Sequence, residues 1–225
     1  MLTPGEALKN AETRAATFGF MAFLLNQTPD DDLILGLRTT DFNTFIDSIP
    51  DHDPSQDIKH GLTELFKFTQ ETSKIPSNDA ALMLAKDWTC LFRGVSPGYG
   101  PAPPYEGLYM SGDELGLDII QTVNHWYLEN GVRVDSDHPD RPDYLGLELD
   151  FIRHLSEIEA RAWAEGNETE ATKHFQRNTL FIAEHIAPWV SRFCEEAMGF
   201  AKTGFYRGLI KIIQGAIADY TEHGR

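Results

Sequence analysis

The chain is short of cysteine, of basic residues and of long apolar runs. Cys90 and Cys194 are its only cysteines, which excludes a disulfide framework and any zinc site built on paired cysteines within one chain. A chain of 225 residues buries an apolar core without such staples, as one domain or a pair of small ones. A reducing compartment fits best. Residues Met1 to Asn10 carry no basic stretch leading into an apolar one, and no uninterrupted apolar run is long enough to cross a bilayer. A cytoplasmic protein without stable membrane insertion is therefore expected. Lysine and arginine number 19 against 35 acidic residues, a formal net charge of -16. Phosphate backbones and anionic lipid surfaces are repelled by such a surplus, so nucleic acid is not an expected partner. A cationic partner would be favoured, although acidity also serves solubility.

Alternating β-branched runs are missing too, apart from Val132-Arg133-Val134, whereas helix-start signals recur. Thr3-Pro4-Gly5-Glu6 reads as a capping box with proline at the first helical position, opening a helix through about Asn26. Thr28-Pro29-Asp30 and Asp53-Pro54 repeat that grammar, and Ser77-Asn78-Asp79 starts a helix reaching Phe92. Glycine and proline between Gly94 and Pro104 impose a loop, after which Ser111 starts a new helix, with Ile120, Val123 and Tyr127 at helical spacing. Gly131 ends it, residues 132–141 form a second loop, Pro142 sits in a first turn, and helices resume at Asp143. Phe205, Leu209, Ile212, Ile213, Ala216 and Tyr220 form the core stripe of a final helix. The expectation is all-α, a helical bundle in two subdomains with a hinge near residues 132–141.

Several common catalytic motifs are absent. No glutamate has histidine three residues on, and His-Glu-x-x-His and the phosphate loop do not occur. Asp150 and His154, four apart, could share a metal or an acid/base task, but a surface hydrogen bond is the expectation. His52-Asp53 resembles paired metal ligands, yet Asp53 before Pro54 suits a helix cap better. Cys90, beside Leu91 and Phe92, reads as a buried small hydrophobe. No metal and no cofactor is expected.

Two segments carry more information. The first runs Leu84-Ala85-Lys86-Asp87-Trp88-Thr89-Cys90-Leu91-Phe92-Arg93-Gly94 and continues at Ala102-Pro103-Pro104-Tyr105-Glu106-Gly107-Leu108-Tyr109. The second is Arg141-Pro142-Asp143-Tyr144-Leu145-Gly146-Leu147-Glu148-Leu149-Asp150-Phe151-Ile152. Together they resemble the signature of the TorD/DmsD family, the TorD-like and NarJ-related maturation chaperones for redox enzymes, with Tyr144 where the family usually has histidine. Looser matches at Arg14 to Leu25 and at His185-Ile186-Ala187-Pro188-Trp189 through Phe193, Ala201, Phe205 and Tyr206 extend the resemblance over nearly the whole chain.

The resemblance implies a cytoplasmic chaperone, not an enzyme. It would bind the precursor of a molybdopterin-dependent oxidoreductase, by twin-arginine leader or apo-enzyme, and assist cofactor insertion before export. A leader of two arginines and an apolar stretch calls for carboxylates beside an apolar groove. Asp87, Glu106, Asp143 and Glu148 are the candidate carboxylates, and Trp88, Leu91, Phe92, Pro104, Tyr105, Tyr109 and Tyr144 complete the candidate peptide-binding set. Each has a plainer reading: Leu91 and Phe92 as core, Pro104 as a loop stiffener, Asp143 as a helix cap. The chain would be a monomer or a domain-swapped homodimer. The rival reading is a helical enzyme or nucleotide-binding protein that uses an Asp143/Glu148 cleft, with His154 as a further acid/base group.

Overall fold

The fold begins where the capping box predicts. In the computed structural model, which describes residues 2–39, 42, 44, 56–94, 98–111, 116–135 and 138–223, the Thr3 N–H donates to Glu6 Oε2 (2.8 Å) and the Glu6 N–H to Thr3 Oγ1 (3.3 Å). Those reciprocal bonds satisfy two of the donors that a helix start leaves open. Helix α1 follows, Pro4–Asn26. The second cap differs from expectation: Asp30, not Thr28, accepts the Leu33 N–H, and α2 is Asp31–Leu37. The expected cap at Asp53 and the His52-Asp53 pair lie outside the described residues.

The remaining helices are α3 Gln56–Glu71, α4 Ser77–Phe92, α5 Glu106–Met110, α6 Leu117–Glu129, α7 Leu145–Ala164, α8 Glu168–Phe181, α9 Ala187–Phe200 and α10 Gly204–His223. A π-helical turn, Ile182–Ile186, joins α8 to α9. Among the described residues there is no strand, and the all-α expectation holds. Two helix starts move. Ser111 closes the short α5 instead of opening a helix, and α6 begins after Gly116. Asp143 and Tyr144 stay extended or turned, so α7 starts at Leu145. Gly131 does end α6, with φ +76°, a conformation cheap for glycine alone. No helix among the described residues is long and apolar enough to cross a membrane.

The chain divides into two compact units. The first comprises Met1–Asn26, Pro104–Trp189 and Tyr220–Arg225, the second Gln27–Pro103 and Val190–Asp219. Residues 132–141, expected as the hinge, lie inside the first unit. There α1 packs along α7 and α8 returns against α7, burying Phe18, Met21, Leu25, Leu149, Ile152, Leu155 and Phe181. Arg14 is buried with them because it is fully used: it donates to Ser156 (3.0 Å) and Tyr220 (2.8 Å) and pairs with Glu159. In the second unit α2 packs on α4, and Phe68, Leu84, Leu91, Phe92, Phe193, Phe205, Tyr206 and Leu209 form the core. The stripe expected on α10 is buried throughout.

A buried acid cluster as the candidate functional site

The two motif segments meet within the first unit. Tyr105 and Tyr144 form an isolated antiparallel bridge, in which the Leu145 N–H donates to the Pro104 carbonyl and the Glu106 N–H to the Asp143 carbonyl (both 2.9 Å). Asp143 then does two jobs. Its Oδ2 accepts the Gly107 N–H (3.0 Å) at the open end of α5, and both its oxygens accept from Arg141 (3.0 and 2.7 Å). Carboxylate at a helix start and forked guanidinium against carboxylate are both favourable geometries. The Arg141 guanidinium also lies 4.7 Å from the centre of the Tyr105 ring, and the Tyr105 hydroxyl donates to Asp140 (2.7 Å). Tyr144 is locked from the other side by its hydroxyl, which donates to the Leu25 carbonyl (2.9 Å).

This close approach demands glycine. A Cβ on Gly107 would stand 3.0 Å from Asp143 Oδ2 and 3.1 Å from Gly116 Cα, and one on Gly116, at φ +58°, only 2.6 Å from Gly107 Cα.

Behind the bridge sits an acid cluster. Glu106, Asp143, Glu148 and His185 are 3, 0, 0 and 6% exposed, so each needs a partner to offset lost hydration. Glu106 has His185, whose Nδ1 lies 3.1–3.2 Å from both carboxylate oxygens. Glu148 has no such base: neither oxygen meets an N–H or hydroxyl donor among the described residues, and the group it faces is the Glu106 carboxyl. Burial first, then the Glu106 charge, the hydrogen bond with Glu106 and the Asp143 charge, push the Glu148 carboxyl well above the usual carboxylate range. Burial, followed by the charges of Glu148, Asp143 and Glu106, likewise raises Tyr127, whose hydroxyl donates to the Pro142 carbonyl (2.9 Å).

His185 reaches Glu106 from the π-helical turn, and the local sequence explains that turn. Pro188 has no N–H to offer the carbonyl four residues back, and its ring crowds that turn of helix. The backbone widens instead, and the Ala187 N–H bonds the Ile182 carbonyl, five residues away. Trp189 steadies the turn by donating to the His185 carbonyl and stacks on Tyr109 at 5.1 Å.

A family model described as the nitrate reductase delta subunit matches residues 51–195, a span that contains the bridge, the acid cluster and the π-helical turn. The chain belongs to that family. Several relatives carry the name Chaperone protein TorD, which bears out the TorD-like resemblance. That of Vibrio cholerae serotype O1 is 25% identical over 206 residues, covering 89% of this chain and 87% of the relative. The Vibrio parahaemolyticus protein is 24% identical over 207 residues, 90% of each chain. The Vibrio vulnificus protein is 28% identical over 144 residues, 62% of this chain and 63% of its own.

For this member of the nitrate reductase delta subunit family, the site residues expected from sequence fall into two groups. Pro104, Tyr105, Glu106, Tyr109, Asp143, Tyr144 and Glu148 belong to the first unit, and Asp87, Trp88, Leu91 and Phe92 to the second. Within the second, Asp87 accepts the Lys202 and Thr203 N–H groups (3.0 and 2.8 Å) and the Thr203 hydroxyl (2.7 Å), holding the start of α10. Trp88 lies under the Arg93 guanidinium (4.4 Å). Leu91 and Phe92 are fully buried, Phe92 against Phe193 and Tyr206. Tyr105 and Tyr109 are half-buried, and Leu108 and Met110 beside them are exposed.

Other expectations need correcting. Cys90 is not buried: it is partly exposed and its thiol donates to the Tyr99 carbonyl (2.9 Å). Asp150 pairs with Arg153 (2.6 Å), three residues on, in place of His154. Asp143 and Glu148 face no open cleft, being wholly buried. Among the described residues no group of three or more His, Cys, Asp or Glu side chains could hold a metal ion. Sequence reasoning also missed Arg141 and the partnership of His185 with Glu106, 79 residues apart in the chain. The Pro188 signal for a widened turn was present but went unused.

Proposed function

We propose that this protein is a cytoplasmic chaperone that binds the precursor of a molybdopterin-dependent oxidoreductase, by its twin-arginine leader or its apo-enzyme, and assists cofactor insertion and assembly before export. The observation that carries the reading is the family match over residues 51–195, together with relatives named as chaperones that align along most of the chain. The chemistry of the motif residues supports it. Asp87, Asp143 and Glu106 each serve internal bonds, an arrangement for shaping a binding body rather than for turning over a substrate. On this reading the accessible contact face is the segment around Tyr105, Leu108, Tyr109 and Met110, with Arg141 at its edge, while the buried members of the set hold it in shape. The enzyme reading finds no comparable support, since its two carboxylates have no access to a substrate. Affinity capture from the native host followed by mass spectrometry tests the proposal. A molybdoenzyme catalytic subunit should be enriched over a control chain, and its consistent absence under conditions where that enzyme is made would refute the function.

A further inference from the structure

We propose that Glu148 and Glu106, with His185, form a proton-loaded latch: a proton shared between the two carboxyls holds α5 in place, and its loss releases residues 104–110. The argument starts from an inventory of what faces Glu148. From α5 comes the Glu106 carboxyl, itself bonded to His185 Nδ1 from the π-helical turn. From the segment before α7 comes Asp143, whose charge is matched by Arg141. From α6 comes Tyr127, whose hydroxyl proton is directed at the Pro142 carbonyl, and further along α7 Asp150 is paired with Arg153. Among the described residues no arginine or lysine is left over for Glu148, which is wholly buried with the Glu106 carboxyl as its hydrogen-bonding neighbour.

Two carboxyls facing each other in a dry interior are two acceptors, and a proton between them is what makes their contact attractive. Burial, then the charges of Glu106 and Asp143, favours keeping that proton on Glu148. When it leaves, two anions face each other at low dielectric, and His185 Nδ1 is held to Glu106 alone. Of the elements involved, α5 is the one able to yield. It is five residues long, and its backbone is held to the segment before α7 by two backbone bonds and the Asp143–Gly107 bond, whereas α7 is a twenty-residue helix packed on α1 and α8. Its release would free Tyr105, Leu108, Tyr109 and Met110 together, and so makes exposure of this partly apolar face dependent on pH.

Hydrogen exchange on the full chain, read at the amides of Glu106, Gly107 and Leu145 and corrected for the intrinsic base dependence, tests the latch. Wild type should lose protection there by up to about tenfold per pH unit as the pH rises above the usual carboxylate range and Glu148 ionises. Glu148→Gln keeps a donor to Glu106 that cannot ionise, and should remove that dependence while leaving α1 and α8 as protected as before. A wild-type profile that stays flat, or a Glu148→Gln profile that falls like wild type, overturns the proposal. The infrared spectrum of the wild type gives a second reading that does not depend on the variant folding. A protonated carboxylic acid band should be present at neutral pH and vanish in step with the loss of protection, and its absence at neutral pH overturns the latch as well.

Discussion

Removing the cation of the Arg141–Asp143 pair should harm the protein more than removing the anion, because the two partners differ in burial. Asp143 is completely buried, whereas about a third of the Arg141 side chain is exposed, 0 and 34% respectively. In Arg141→Met the carboxylate keeps the Gly107 N–H but loses both guanidinium bonds, leaving a buried charge largely uncompensated, a situation that costs about 3–5 kcal/mol. In Asp143→Asn the guanidinium can turn to water, and the amide oxygen still accepts from Gly107. The loss is then about one charge-assisted hydrogen bond, roughly 1.5–3 kcal/mol, toward the low end because Arg141 is partly solvated already. The double variant should lie close to Asp143→Asn, since the second change removes a partner that is no longer bound. Urea unfolding at neutral pH followed by tryptophan fluorescence measures this, because Trp126, Trp163 and Trp189 all lie in the first unit. A difference of about 2 kcal/mol between the single variants would displace the midpoint by roughly 1 M. Should Asp143→Asn prove the more damaging, or the two losses simply add, the burial argument fails.

Three further outcomes are expected. Asp87→Ala removes the acceptor for the Lys202 and Thr203 N–H groups at the start of α10 and should cost about 1–2 kcal/mol, read by thermal unfolding, whereas Glu71→Gln in the exposed Lys67–Glu71 pair should change stability by less than about 0.5 kcal/mol. Glu148 is raised above its ordinary value of 4.5 in the folded state, so between the unfolded and folded values the native protein holds a proton that the unfolded chain has lost. Stability should therefore fall as pH rises through that window, by up to about 1.4 kcal/mol per unit, and the same titration on Glu148→Gln should be flatter; identical slopes would exclude Glu148 as the source. A synthetic twin-arginine leader from the client enzyme should bind with a salt-sensitive and a salt-insensitive component, and calorimetry should show Tyr109→Ala weakening mainly the second; unchanged binding would place recognition elsewhere.

Local chemistry made much of the helical architecture readable. The Thr3–Glu6 box, the start near Ser77 and end at Phe92, the stop at Gly131 and the α10 stripe all follow from interactions spanning a few residues, and α1, α4, the end of α6 and α10 lie where those signals put them. The errors came where a distant partner overrides a local preference. Pro142-Asp143 looks like a helix opening, but Asp143 and Tyr144 are held in turned or extended backbone by bonds to residues 104–107, and α7 starts later. Asp143 proved to cap α5, an element separated from it by 36 residues, and the five residues of α5 are too few to leave a periodic signal.

By itself the sequence determined that the chain is helical, where several of its helices begin or end, and which family it joins, because capping, turn chemistry and apolar spacing are carried by neighbours in the chain. Tertiary structure alone decided what the carboxylates do. Asp87 became a cap for α10, Asp143 the partner of Arg141, and Glu148 an acid without a cation. A carboxylate's role is set by its depth below the surface and by the groups within a few ångströms of it, and for Asp87 and Glu148 those groups, the start of α10 and the Glu106 carboxyl, arrive from far away in the chain.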